Sequence, residues 1–493
     1  MAHFKDFSMT MDPVTFLLTV VLCLILASRY QKRNIFKNLP PGPKPLPIIG
    51  NLYNLKIFNT LLELSKKYGA VFTIHLGTQK VVVLCGYETV KDALVNFAEE
   101  FSERPVIPIF KDVNRGYGIV FSHGQNWKLM RRFTLSALRD FGGKKIENKI
   151  NEECDFLVKT FRSFKGKPFE NTKIINSAVA NVIVSILYGR RFDSQDPTFL
   201  RLKWLIYENI RLTGSLMVML YNTFPSLMRW VPGNHKSFLR NGKELQNFFR
   251  KSFTEYRNTL DINDQRNLID AFLVKQQEEN KENGSYFHTD NLTILVANLF
   301  VAGTDTVAAT LQWGILLMMK YPDIQKNVQN EIEKVIGLRE PSIEHRKSMP
   351  YTNAVIHEIQ RIATIIPNNL PRATTKDVTF RGYFIPKGTY VITLLTSVLK
   401  DKTRFEKPDE FYPQHFLDSE GNFVRNEAFL PFSAGKRICA GENLAVMELF
   451  LFFTRLFQNF TFQPPAGAVL DFTPRPGITT PPFPHEICAL PRC

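Results

Sequence analysis

Cysteine is scarce in this chain. Six residues (Cys23, Cys85, Cys154, Cys439, Cys488 and Cys493) are scattered through 493 positions, too few and too dispersed for a disulfide framework. No CxxC pair occurs, which argues against structural zinc and redox dithiols and fits a reducing compartment. Missing too are a linker in the middle of the chain and any internal repeat. A length that would suggest about three domains therefore reads better as one large compact domain. Hydrophobic types make up 44% of the residues, ample for a large core. No zinc-finger or RNA-binding pattern accompanies the formal charge of +16, so nucleic acid is not expected as a partner. A membrane surface or an acidic protein suits that charge better, and a generally solvated basic surface is the plain alternative.

Val14 to Ala27 is a 14-residue apolar run without charge, followed by Arg29, Lys32, Arg33 and Lys37. It is short for a spanning helix, which needs about 20 residues. The positive charge after the run favours an uncleaved anchor over a signal peptide, with the downstream chain cytoplasmic. Leu39-Pro40-Pro41-Gly42-Pro43-Lys44-Pro45 follows. Its prolines fix φ and remove donors, so it reads as a stiff, extended spacer or an ordinary loop.

Beyond the spacer the pattern is mostly helical with small peripheral sheets. Val71–Leu76 and Lys80–Cys85 are β-rich runs around Gly77-Thr78-Gln79, a good hairpin. A second hairpin is expected from Val378 to Leu395, turning near Pro386-Lys387-Gly388. A helix from about Asp290 to Lys320, capped by Thr289 or Asp290, ends before Pro322. Roughly 30 residues at 1.5 Å each give about 45 Å, enough to cross the domain. The last strong helix starts near Gly441.

Phe432-Ser433-Ala434-Gly435-Lys436-Arg437-Ile438-Cys439-Ala440-Gly441 carries the chemistry. Its glycines permit tight turns close to a flat ligand. Cys439 sits at the start of a helix, where free N–H groups and the dipole favour negative charge, and Arg437 and Lys436 add to that. All of this is expected to favour a thiolate. A cysteine nucleophile would need a positioned His; none lies in the loop, though a distant one stays open. Zinc would need three more ligands. Covalent haem attachment would need CxxCH, which is absent. An axial haem thiolate needs one cysteine, glycines for close approach and cations for propionates, and the segment supplies all three.

The pattern Phe-x-x-Gly-x-Arg-x-Cys-x-Gly resembles the haem-binding loop of cytochromes P-450, and further family motifs occur in the right order along the chain. It looks closest to the vertebrate microsomal family-two enzymes, the fish subfamily K among them. The resemblance implies a single, mainly α haem-thiolate fold with small peripheral β-sheets and an N-terminal transmembrane anchor. Expected divisions are an anchor over 1–29, a basic and Pro-rich hinge over 30–50 and the catalytic domain over 51–493. It implies haem b with Cys439 as the iron ligand. Trp127 and Arg131, four apart on one helix face, match the family's propionate-contacting pair, with Arg372 and Arg437 as further candidates. Ala302-Gly303-Thr304-Asp305-Thr306 matches the acid-alcohol pair, so Asp305 and Thr306 inherit proton delivery on the oxygen-binding side. On its own the segment also reads as a local kink in a core helix.

Glu358 and Arg361 match the buried Glu-x-x-Arg behind the haem, with His415 standing where Pro-x-Arg-Phe usually carries Arg. Taken alone such an i, i+3 pair is usually a solvated contact of little worth. By family analogy Ile107, Phe110, Val120, Phe121, Phe300, Ala302, Ile366, Leu370 and Thr480 wall a lipophilic substrate pocket. The basic run Lys128, Arg131, Arg132 fits docking of an acidic donor. By analogy the donor is the NADPH-dependent flavoprotein cytochrome P-450 reductase, with cytochrome b5 as a second. The implied location is the endoplasmic reticulum membrane. The implied reaction is insertion of one atom of O2 into a fatty acid, steroid-like molecule or xenobiotic. The alternatives are a haem-thiolate hydroperoxide isomerase, against which the intact Asp305-Thr306 pair argues, and a non-catalytic haem or lipophile carrier.

Overall fold

The computed structural model describes residue 19 and residues 38–52, 59–193, 196–279 and 286–492. Apart from residue 19, the expected anchor at Val14–Ala27 lies outside these residues, as do residues 30–37 of the basic hinge. Eight helices frame the site: α1 (Gly124–Asp140), α2 (Lys144–Ser163), α3 (Thr172–Tyr188), α4 (Pro197–Thr213), α5 (Asn234–Asn258), α6 (Thr289–Lys320), α7 (Pro350–Ala363) and α8 (Glu442–Asn459). The 32 residues of α6 are the axis of the molecule, about 48 Å at 1.5 Å per residue. It packs against α3, α5, α7 and α8. It is long and apolar enough to cross a membrane. Yet most of it from Asn291 to Met319 is buried, with a break at Asn298–Thr306 where it meets the cavities, so its all-round apolarity is that of a core helix. Its cap is the His288 side chain, which accepts from Asn291 N; neither Thr289 nor Asp290 serves. Close passage of α3 is possible because residue 303 is glycine: a Cβ there would lie 2.5 Å from Ile183 Cδ1.

Among the described residues, nine short strands form three peripheral sheets. β1 (Val71–Leu76) and β2 (Gln79–Leu84) are the expected antiparallel hairpin, with Val71 opposite Leu84. β3 is Phe169–Glu170. β7 (Tyr390–Thr393) runs parallel to β2 and antiparallel to β4 (Arg372–Ala373). The second hairpin is shorter than the sequence suggests. It joins β5 (Val378–Phe380) to β6 (Tyr383–Ile385) and turns at Arg381-Gly382, both at positive φ. Pro386 to Gly388 instead carries the chain away to β7 in the other sheet. β8 (Phe460–Gln463) pairs with β9 (Glu486–Pro491), which also takes β3.

The proline-rich segment lies against the body rather than standing free. Thr73 N donates to Pro41 O at 2.7 Å, and a Cβ on Gly42 would fall 1.8 Å from Thr73 O.

Candidate functional site

Cys439 ends a loop held by backbone contacts. A short 3-10 turn spans Gly435–Arg437, Cys439 N donates to Phe432 O at 3.0 Å, and α8 begins at Glu442 after Gly441. Gly435 is obligatory: at φ 73° its backbone passes so near a one-turn π-helix (Asp92–Asn96) that a Cβ would sit 1.7 Å from Leu94 O. The loop therefore rests backbone on backbone.

The thiol opens into a cavity bounded by α1, α3, α6, α7 and α8, and from α6 come Ala302, Gly303 and Thr306. Burial away from water pushes the Cys439 thiol up, and the negative charge of Glu442 adds to this; a backbone N–H at Gly441 and the positive charge of Arg131 oppose it. This departs from the sequence expectation. Lys436 turns out to pair with Glu99 at 2.6 Å, and Arg437 turns to Ser102 O, Ser122 O and Glu103. The cation that bears on the sulfur is Arg131, from α1 across the cavity.

Three arginines, Arg104, Arg131 and Arg437, line this cavity, and a fourth, Arg372, stands behind them within reach of their charge. Trp127 and Arg131 line it together, as their spacing predicts, and the Arg437 guanidinium lies 3.8 Å from the Trp127 ring centroid. Arg372 is fully buried, donating to Ser433 Oγ at 3.0 Å. Arg104, which the sequence reading missed, lines the same wall and donates to Val120 O, Leu370 O and Pro371 O. Burial and mutual repulsion hold Arg104, Arg372 and Arg437 below the ordinary guanidinium range. Among the described residues Glu103 is the one acid ion-paired with any of them, at 3.3 Å from Arg437. Arg372 Nε and Arg437 Nη1 are buried with no hydrogen-bond partner among those residues. Such orphaned donors are costly unless an anion meets them. Carboxylates of an iron protoporphyrin fit this edge, and a thiol fits the iron, so the residues present suit the group.

The acid and alcohol of α6 do not share a cavity. Thr306 faces the thiol side, its hydroxyl donating to Ala302 O at 2.7 Å. Asp305, one residue and about 100° away on a helix, lies on the opposite face beside a second cavity, hydrogen-bonded by Thr479 Oγ1. Enclosure pushes its carboxyl up, against the Thr479 bond and the charge of Arg475. Glu448 of α8 also lines the thiol-side cavity; it is fully buried, Oε1 has no partner among the described residues, and burial pushes it far above the carboxylate range.

Of the nine pocket residues, Val120, Ala302, Ile366 and Leu370 line the thiol-side cavity. Phe300 lies by the second cavity instead. Phe110 stacks on Phe121, centroids 4.3 Å apart, in an apolar cluster that includes Ile107. Thr480 is buried against the segment after α7: its N–H donates to Ile365 O and its carbonyl accepts from Trp313 Nε1. Asn298, unforeseen, pins the loop above the cavity by accepting from Ile119 N and Val120 N.

Behind the cavity Glu358 and Arg361 are fully buried in a bidentate pair at 2.7 and 2.8 Å, not a solvated contact. Arg361 also donates to Leu399 O, Pro408 O and Glu410 O. His415 Nε2 accepts from Lys407 N, which leaves the ring proton on Nδ1, 3.2 Å from Glu358 Oε2.

Residues 40–489 match the profile of the family described as Cytochrome P450. The chain is 49% identical over 504 residues to Cytochrome P450 2K1 of Oncorhynchus mykiss, covering all of both chains. It is 50% identical over 457 residues to Cytochrome P450 2K6 of Danio rerio, covering 91% of this chain and 90% of that one. Against Cytochrome P450 2C14 of Oryctolagus cuniculus it is 48% identical, covering 92% and 94%. A cavity with one thiol facing unanswered guanidinium groups thus sits in a chain that matches at full length. The chain belongs to the cytochrome P450 family, and it is a haem-thiolate monooxygenase of lipophilic substrates.

Proposed function

We propose that the Cys439 sulfur would hold the iron of haem b, and that Trp127, Arg131, Arg372, Arg437 and Arg104 would hold its propionates. The observation that carries this is the orphaned Arg437 donor on the wall of the cavity into which the thiol opens, with the orphaned Arg372 donor behind Ser433 of that wall. When bound, the haem supplies an iron that activates O2, with the thiolate pushing electron density toward O–O cleavage. The rest falls to the chain. Thr306 holds a hydroxyl on the oxygen side, its own proton parked on Ala302 O so that its lone pairs face the cavity. Asp305 is the proton reserve behind the helix and reaches Thr306 only by a rotamer change or through water. Glu358, Arg361 and His415 hold the rear wall.

Val120, Ala302, Ile366 and Leu370 present an apolar surface, suited to a substrate held by shape and burial. Electrons come from NADPH through cytochrome P-450 reductase, with cytochrome b5 as a second donor. Lys128 and Arg132 are exposed on α1 beside the loop and suit an acidic partner, whereas Arg131 points inward. For location we propose the endoplasmic reticulum membrane with the catalytic body in the cytoplasm, and contact with a membrane is supported by exposed apolar side chains. Ile48, Leu216, Leu227 and Trp230 are 61 to 85% exposed. A Cβ on Gly77 would touch both Thr223 and Ile48 O, which brings the two exposed segments together. Exposed bulky groups of this kind suit a lipid surface.

The test is the reduced, CO-bound spectrum of wild type and Cys439→Ser. Wild type is expected to give the red-shifted thiolate band and the variant to lose it. A wild-type spectrum like that of an imidazole-ligated globin would defeat the assignment.

A further inference from the structure

On the far side of α6 lies a cavity of about 760 Å³, between α2, α3, α4 and α6, large enough for a small-molecule ligand. Its mouth carries three large apolar side chains, each 39 to 47% exposed: Leu200, Phe156 with the Arg191 guanidinium 4.4 Å from its ring centroid, and Trp204 with that of Arg201 at 4.4 Å. Deeper in, Ile206 and Phe300 continue the apolar wall. Buried apolar residues would complete a core; exposed ones gathered around a cavity suit a lipophilic occupant.

The charges in the cavity are unevenly answered. Glu153 is ion-paired with Arg191 at 2.5 Å, and Glu208 with Arg211 at 2.6 Å. Glu170 accepts from Thr172 N, and Asp305 is bonded by Thr479. Every acid therefore has a donor inside the protein. Lys203 does not have the converse. It is half-buried, over the Phe199 ring, and donates to Ser177 Oγ at 2.5 Å, and it makes no ion pair among the described residues. Lys173 at the rim makes none with them either. Burial lowers the Lys203 ammonium to about 8, which marks a cation that has lost water without gaining a counter-ion.

We propose that this cavity is a second ligand site, distinct from the thiol-side cavity, for an amphipathic monoanion such as a fatty carboxylate. The headgroup lies against Lys203, and the hydrocarbon chain runs along Trp204, Leu200 and Phe156. The site's existence does not depend on the roles given above to Cys439 or Thr306.

The experiment uses full-length, haem-loaded enzyme in zwitterionic nanodiscs, with empty nanodiscs correcting for partition. The thiol-side cavity is closed by a tight iron-ligating azole. Laurate and dodecan-1-ol are titrated separately while tryptophan fluorescence is followed. Laurate is expected to quench saturably with the azole in place, and Trp204→Phe to abolish that signal. Lys203→Met is expected to weaken laurate about ten-fold, the scale of one charge-assisted hydrogen bond. Dodecan-1-ol should be nearly unaffected, and Lys203→Arg should restore laurate. Quenching that vanishes when the azole is bound, or persists in Trp204→Phe, or an equal effect of Lys203→Met on acid and alcohol, would overturn the proposal. The azole's own Soret shift reports independently on the thiol-side cavity, so failure there and failure here are told apart.

Discussion

Two groups of buried arginine stand within the same molecule and obey opposite rules. Arg361 has a bidentate carboxylate and three carbonyls, all within 2.9 Å, and His415 completes its acid. The cluster of Arg104, Arg131, Arg372 and Arg437 has one shared acid, mutual repulsion and two orphaned donors. The first network is closed by the protein itself. The second is complete only when something anionic arrives. A buried charge that is fully answered serves the scaffold; one left unanswered points to a ligand.

The contrast can be broken first at Arg361. Glu358→Ala strips a fully buried guanidinium of its carboxylate, and the expected loss is about 3–5 kcal/mol of stability. Chemical denaturation of the haem-loaded protein measures it. A loss under about 1 kcal/mol would mean that the closed network contributes nothing special.

Acid sharpens the same distinction at the neighbouring residue. His357 is enclosed by Phe416, Phe423 and Phe429, and burial lowers it to about 4. The unfolded chain takes up that proton first, near pH 6.5, so the contribution is complete above this value. It is lost as pH falls toward 4, by about 3 kcal/mol in all. His357→Gln should flatten that portion of the stability–pH curve, and an unchanged slope would sink the idea.

The smallest effect tests the open cluster, and its size depends on the state. Arg437→Met should change the stability of haem-free protein little, because relief of repulsion and of buried charge offsets the lost contacts to Ser102 O, Ser122 O and Glu103. Haem affinity should fall about 10- to 100-fold, the worth of a charge-assisted contact. Equal losses of stability with and without haem would make Arg437 a scaffold residue like Arg361.

What was legible in the sequence follows the range of the interactions. The Cys439 loop, the first hairpin and the long axis helix are written in neighbouring residues, and each lies where the pattern puts it. Arg104 carried no such signal, since its Glu-Arg-Pro context is ordinary and its partners Leu370 and Pro371 are 266 and 267 residues away. Arg437 was read as support for the thiol because it is two residues off, yet its contacts are to Ser102, Glu103 and Ser122. Adjacency along the chain also does not tell that Asp305 and Thr306 line different cavities, because one residue is enough to turn a side chain to another side of a helix. Phe300 follows the same geometry. The second hairpin failed for a different reason: Pro386 and Gly388 do break the chain, but they send it from one sheet to another rather than close a turn.

Gly435 seats the thiol loop directly on the peptide of the π-turn at Leu94 O. The elevation of the sulfur is thereby indexed to Leu94 O, like a gauge zeroed on metal rather than on a gasket. Even a methyl group at 435 would lift the loop off that seat.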